Sequence, residues 1–156
     1  MENISIREGG LDNPLVIQLL ETHLTHCRAE TGEGSAHALD ISGLKTPDIK
    51  FWTVWDQENN LIGMGAIKMF EPKHFEVKSM HTVAATRGKG VASRLLTFII
   101  EESRKLGAER LSLETGSWPY FVPARELYKK HGFTETGPYG SYKLDPNSVF
   151  MTLSLI

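Results

Sequence analysis

The sequence predicts an α+β fold, in which a mixed, mostly antiparallel, twisted sheet of about six to seven strands carries helices on both faces. Strand-like segments at 50–56, 61–70 and 75–83 follow one another with connections of about four residues, which permit only antiparallel neighbours. A long amphipathic helix then separates the last of them from a strand-like segment at 110–115. This arrangement predicts one parallel crossover.

The elements before this meander are a short strand and a helix. Ile4 and Ile6 alternate with polar neighbours, and Asn13 followed by Pro14 is typical of a helix start. The apolar face of this helix consists of Leu15, Leu19, Leu20, Leu24 and Cys27. The glycine-containing segment 30–47 leaves room for one short helix around 35–41, and we expect it to form a rim over a site.

The second half of the chain begins with the long helix, which Gly107 ends. Its apolar stripe consists of Ala92, Leu95, Leu96, Ile99 and Leu106. The strand at 110–115 is followed by a helix at 123–131 and by closing strands at 133–136 and 149–155.

Length and composition predict a single domain spanning residues 1–156. The chain has 40% hydrophobic and 23% charged residues and a net charge of -2, which argues against nucleic acid as a partner. A single cysteine, no signal-peptide pattern and apolar runs too short for a membrane span predict a cytoplasmic protein that does not bind membranes. The sequence leaves a homodimer open.

The start of the long helix carries the wrong charges for a purely structural role. Arg87, Lys89 and Arg94 lie at the positive end of the helix dipole, beside Gly88 and Gly90. This placement costs a few tenths of a kcal/mol up to about 1 kcal/mol unless an anion such as a diphosphate completes the site. The alternative is a loop that turns at its glycines and exposes its basic side chains to solvent.

Nucleotide and metal sites explain the sequence less well. Gly88-x-Gly90 with Glu114 imitates a dinucleotide-binding motif, but Ser93 stands where the third glycine is expected. No metal site is predicted, because His23 and His26 share a helix face only roughly and no second ligand pair stands out.

Two motifs resemble the GNAT family of N-acetyltransferases. Arg87, Gly90 and Ala92 match the family's diphosphate motif of Gln or Arg, any, any, Gly, any, Gly or Ala. The second match, to Ala-x-x-Leu-Tyr-x-x-x-Gly-Phe, consists of Ala124, Leu127, Tyr128, Gly132 and Phe133. The resemblance covers nearly the whole chain and implies the GNAT fold, with acetyl-CoA or a related acyl-CoA as donor.

The resemblance also implies which residues bind the donor. In the family, amides that follow the first motif residue hold the diphosphate, and main-chain groups of the preceding strand hold the pantetheine arm where that strand splays from its neighbour. An N–H there binds the oxyanion. The corresponding residues are Met80, His81 and Thr82 in the strand, and Arg87, Gly88, Lys89, Gly90, Val91, Ala92 and Ser93 in the motif.

Two catalytic residues are implied in the same way. Tyr128 matches the family tyrosine that protonates the leaving sulfur, although a tyrosine before Gly-Phe could simply pack. Glu76 stands eleven residues before Arg87, the separation of the catalytic glutamate in the histone-modifying branch, and is the candidate base. The alternative for Glu76 is a surface ion pair with Lys78.

The acceptor is harder to identify. Phe121 replaces an asparagine found in many family members, and we interpret the aromatic loop 117–120, with Trp52 and Tyr142, as a candidate acceptor-pocket wall, packing being the alternative. The expected reaction is acetyl transfer from acetyl-CoA to a primary amine in a ternary complex, with a small-molecule acceptor. The alternatives are a peptide or protein acceptor, at a lysine or an N-terminus, and an inactive acyl-CoA-binding sensor.

Overall fold

The computed structural model describes residues 3–32, 34, 37–86 and 88–156. Within them the strands are β1 (Ser5–Glu8), β2 (Ile49–Trp55), β3 (Leu61–Lys68), β4 (His74–Thr82), β5 (Arg110–Gly116), β6 (Thr134–Thr136) and β7 (Ser148–Ser154). The α-helices are α1 (Pro14–Ala29), α2 (Ile41–Leu44), α3 (Val91–Lys105) and α4 (Val122–Lys130).

The strands form one sheet in the order β1-β2-β3-β4-β5-β7-β6. Strands β4 and β5 pair in parallel, and the other described pairs are antiparallel. Helix α3 makes the crossover between β4 and β5. The predicted fold class, the meander and the crossover are therefore confirmed.

The short helix of the 30–47 segment begins later than predicted. It starts after Asp40, whose side-chain oxygen accepts a hydrogen bond of 2.9 Å from the N–H of Gly43. An aspartate in this position caps the free amides of a first turn, so the helix begins where this cap is available. Ser35 and Ala36, at the predicted start, lie outside the described residues.

Apolar side chains pack on both faces of the sheet. On β2, Trp52 and Val54 belong to the core that includes α3, whereas Phe51 and Trp55 belong to the core that includes α1. Successive side chains of a strand point to opposite faces, so one strand serves both cores. Helix α3 packs closely on the first face, where a Cβ at Gly65 would lie 3.0 Å from Cδ1 of Ile99.

Strand β4 changes direction next to Gly65. Ala66 pairs with Lys78 and Met64 with His81, so Ser79 and Met80 both lie opposite Gly65 in a bulge. Ser79 has a φ of 55°, which is uncommon for a residue with a side chain. The bulge re-aims the last residues of β4.

Candidate active site

A cavity of about 610 Å³ opens between β4 and β5. The two strands are in register from His74–Arg110 to Glu76–Ser112. Beyond that pairing, residues 77–82 of β4 and 113–116 of β5 line the cavity, which we call the cleft. The strands part where the resemblance predicted a splay.

The beginning of α3 forms one end of the cleft. Gly88 and Gly90 have φ values of 82° and 80°, and a Cβ at either position would meet nothing within 4 Å. Backbone conformation, not crowding, therefore favours glycine there. The N-cap residue Gly90 offers no side chain to cap the helix, and the first-turn amides precede its first internal hydrogen bond, from Arg94 N–H to Gly90 O.

The predicted diphosphate residues lie mostly around this helix start. Those that line the cleft are Gly88, Gly90, Val91, Ala92 and Ser93. Lys89 is exposed and is not among the lining residues, and Arg87 lies outside the described residues. The structure thus brings a glycine-lined helix N-terminus to the cleft, and a helix N-terminus favours anions.

A hydrogen bond connects this helix start to the end of α4. Nδ1–H of His131 donates to the carbonyl oxygen of Leu127 at 3.0 Å, so Nε2 accepts from the Ser93 hydroxyl, also at 3.0 Å. The Ser93 side chain is therefore occupied by this contact.

The predicted pantetheine residues Met80, His81 and Thr82 all line the cleft. On the α1 side, Nδ1 of His81 lies 3.2 Å from Nδ1 of His23. Burial is the main cause that lowers the pKa of His23 to about 3, so this ring is neutral at neutral pH.

Three potential metal ligands of α1 gather near this contact. Sγ of Cys27 lies 3.6 Å from Nε2 of His23, and the ring of His26 lies 6.0 Å from that of His81. Within the described ranges, no group of three or more His, Cys, Asp or Glu side chains is arranged to hold a metal ion. Burial raises the pKa of the Cys27 thiol to about 11, so it is a poor nucleophile.

Tyr128 of α4 both packs and reaches the cleft. It is 8% exposed, its ring lies edge-on to that of Phe133, and it is one of the lining residues. Burial raises the pKa of its phenol well above the ordinary range, so the hydroxyl keeps its proton. A protonated hydroxyl at this position can donate to a leaving group.

Glu76, the predicted base, lies in a buried hydrogen-bond network and is not among the residues that line the cleft. Its Oε2 atom accepts from the hydroxyls of Tyr142 at 2.6 Å and Tyr139 at 2.8 Å. Nζ of Lys78 lies 3.4 Å from the same oxygen. The alternative prediction, a surface ion pair between Glu76 and Lys78, names the right partners. It is wrong about the surface, since both side chains are buried.

Lys78 connects this network to the cleft, which it lines. Its ammonium donates to the Tyr142 hydroxyl at 2.9 Å and to the carbonyl oxygen of His37 at 3.2 Å. His37 and Ala38 also line the cleft. The network therefore reaches a segment that borders the site.

Glu114 of β5 lines the cleft, and no sequence motif predicts a catalytic role for it. Burial is the main cause that raises its pKa to about 7. A carboxylate with such a pKa suits proton transfer near neutral pH. One signal in the sequence was available, since the glutamate directly follows the segment Leu111–Leu113, which is buried in the structure.

Only part of the predicted aromatic wall lies at the cleft. Tyr120 and its neighbour Phe121 line the cleft, and the Tyr120 hydroxyl lies 3.0 Å from Nδ1 of His26. Trp52 is wrong as a wall residue, because it is 2% exposed in the core and packs against Phe98. Tyr142 belongs to the Glu76 network instead.

The parted pair of parallel strands beside an open helix N-terminus is the arrangement that the resemblance to acyl-CoA N-acyltransferases implied. The chain belongs to the GNAT family, since residues 17–133 match the family model described as "Acetyltransferase (GNAT) family".

Relatives agree with this assignment over the full chain. The Bacillus subtilis protein named uncharacterized N-acetyltransferase YsnE is 46% identical over 96% of this chain and 99% of its own length. A protein of Azospirillum brasilense named IAA acetyltransferase is 38% identical over 97% of both chains.

Solved structures show the same fold. A GNAT-family acetyltransferase from Staphylococcus aureus has a TM-score of 0.75 at 18% identity and covers 99% of this chain and 100% of its own. A GNAT-family acetyltransferase from Elizabethkingia anophelis with acetyl-CoA bound has a TM-score of 0.72 at 17% identity over 99% of both chains.

Proposed function

We propose that this protein transfers the acetyl group of acetyl-CoA to a primary amine by direct attack within a ternary complex. The observation that carries the proposal is a single cleft with an uncapped helix N-terminus at one end and the carboxyl of Glu114 along its wall. The first suits the diphosphate of the donor and the second suits the ammonium of the acceptor.

The donor would bind along β4 and the start of α3. The open space at Gly88 and Gly90 fits a diphosphate that approaches the backbone closely, and the amides from Gly88 to Ser93 would hold it. Lys89, together with Arg87 as the motif predicts, would add positive charge. The main chain of residues 80–82 would hold the pantetheine arm in the manner of an added strand.

The chemistry requires removal of a proton from the acceptor ammonium before its nitrogen can attack. We assign this step to Glu114, because its carboxyl lines the cleft and has a pKa of about 7. The nitrogen then bonds to the thioester carbon, and an N–H of the β4 bulge would stabilise the oxyanion.

The reaction ends as the carbon–sulfur bond breaks. The thiolate takes the hydroxyl proton of Tyr128, and the second proton of the nitrogen passes to the Tyr128 phenolate. Glu114 gives its proton to solvent, so that one proton is released overall for each thiol and amide formed. The sequence-based prediction that Glu76 is the base is a competing assignment, which the experiments below separate from that of Glu114.

We propose a small molecule as the acceptor. The cleft of about 610 Å³ would also hold part of the donor, so the space left for the acceptor is of a size that suits a small molecule. We place the acceptor at the end of the cleft bordered by His23 and Cys27 of α1, by His37 and by Tyr120, and these borders support a pocket over an extended peptide groove.

The test is a screen in which acetyl-CoA is incubated with the protein and a panel of amines, amino acids and peptides. We expect amine-dependent release of the CoA thiol together with an N-acetylated product identified by mass spectrometry. Binding of acetyl-CoA without amine-dependent release would favour the sensor alternative, and acetylation of peptides alone would favour the peptide acceptor. Failure to bind CoA would contradict the whole proposal.

A further inference from the structure

Lys78 lies level with Glu114 across two parallel strands, and Glu76 lies two residues earlier on the same face. Glu76 pairs with Ser112 in register, so Lys78 and Glu114, each two residues further on, are level with one another and share the face of Glu76. The two strands part at this height, and Lys78 and Glu114 both line the cleft. The buried pair therefore lies beside the carboxyl that we assign as base.

The same pair attaches two separate segments to β4. Lys78 holds the carbonyl oxygen of His37, in the segment between α1 and α2. Glu76 accepts from Tyr139 and Tyr142, in the segment between β6 and β7. Burial and the neighbouring carboxylate raise the pKa of both phenols, so both remain donors to Glu76.

We propose that Glu76 and Lys78 form a positioning pair, which sets the charge that Glu114 experiences and anchors to β4 the segments that carry His37 and Tyr142. Glu76 then acts through Glu114 and does not itself take the proton of the acceptor. The inference rests on the proposed function for the role of Glu114 as base. The electrostatic coupling itself does not depend on any acceptor.

The two charges act on Glu114 in opposite directions. The Lys78 ammonium favours the carboxylate form and lowers the pKa of Glu114, whereas the Glu76 carboxylate disfavours that form and raises it. The other titratable groups that face Glu114 are Cys27 on α1, Tyr128 on α4, and Tyr139, Tyr142 and Asp145 between β6 and β7. The substitutions below leave all of these in place.

The test is a pH titration of Glu114 by NMR in protein labelled with ¹³C at the glutamate carboxyls, its signal being assigned by its loss in Glu114→Gln. We expect the midpoint to rise by about one pH unit in Lys78→Met and to fall by about one in Glu76→Gln. The double variant should return close to the wild-type midpoint, because the two effects oppose each other. If Lys78→Met does not fold, Glu76→Gln and the double variant still carry the test.

A matched control lies at the edge of the sheet. Lys50 and Glu8 have the same separation of 3.4 Å as Lys78 and Glu76, but Lys50 is half-buried and Glu8 is exposed. Lys50→Met and Glu8→Gln should leave the Glu114 midpoint unchanged. A midpoint that does not move in the Glu76 and Lys78 variants, or that moves in one direction in both, would overturn the positioning pair.

Kinetic measurements separate the role of the Glu76–Lys78 pair from the assignment of Glu114 as the base. With acetyl-CoA and the best primary amine of the screen above as substrates, the acid limb of the pH profile of kcat/KM should follow the NMR midpoint in each variant. If the acid limb of kcat/KM does not follow the NMR midpoint of Glu114, Glu114 is not the base. The effect of Glu76 and Lys78 on the pKa of Glu114 would still stand. Loss of turnover at every pH in Glu76→Gln, with an unmoved Glu114 midpoint, would identify Glu76 as the base and overturn the inference.

Discussion

At the scale of single residues, the environment of a carboxyl decides its chemistry more than its place in a motif does. The spacing to Arg87 predicted Glu76 as the base, yet three donors surround its Oε2 atom in the structure. Glu114 has no comparable motif, but it lines the cleft with a raised pKa. Sequence spacing could not distinguish the two, because their surroundings come from strands and loops distant in the chain.

Tyr128→Phe tests the proton donor. The substitution keeps the ring that packs on Phe133 and removes only the hydroxyl. We expect turnover to fall by about 100-fold, since positioned acid catalysis typically contributes this much or more, while affinity for CoA by calorimetry and Tm stay close to wild type. An unchanged turnover number would assign Tyr128 to packing alone.

At the scale of elements, local patterns predicted most of the fold correctly. The meander strands were predicted to within two residues at each end, because alternating apolar residues and short polar turns are signals within a few positions. The start of helix α3 was predictable for the same reason, since its glycines and basic residues lie within a few positions of one another. The register that brings Glu76, Lys78 and Glu114 together joins segments over 30 residues apart, and no local pattern reports it.

Gly90→Val tests the start of α3 as the diphosphate site. The added side chain would enter open space at a φ of 80°, where the diphosphate is proposed to bind. We expect affinity for CoA to fall at least about tenfold by calorimetry.

Gly9→Val is the matched control, since Gly9 has a φ of 85° with nothing within 4 Å of a Cβ and is not one of the lining residues. Both variants should lose similar stability from backbone strain. An equal CoA affinity in the two variants would contradict the site at Gly90.

At the scale of the whole molecule, two partly buried side chains, His23 and Glu114, make opposing contributions to stability as pH changes. Burial lowers the pKa of His23 from 6.5 to about 3, so its contribution is complete above pH 6.5 and is lost as pH falls toward 3. Burial raises the pKa of Glu114 from 4.5 to about 7, so its contribution is complete below pH 4.5 and is lost as pH rises through 7. The two therefore oppose each other between pH 5 and 7.

Urea unfolding of His23→Gln and Glu114→Gln at pH 7 and pH 5 measures these contributions. We subtract the free energy of unfolding of His23→Gln from that of the wild type. This difference should decrease by about 2 kcal/mol from pH 7 to pH 5. The corresponding difference between the wild type and Glu114→Gln should increase by about 2 kcal/mol from pH 7 to pH 5. Differences that do not depend on pH would mean that the two groups have ordinary pKa values in the folded protein.

The proposed function depends on donor and acceptor being present in the cleft together. The most direct test is the initial rate of CoA thiol release over a grid of acetyl-CoA and amine concentrations, with the best amine of the screen. Direct transfer predicts amine-dependent rates whose double-reciprocal lines intersect, and no acetyl group on the protein. Parallel lines with an acetylated protein, or a rate that does not depend on the amine, would contradict it.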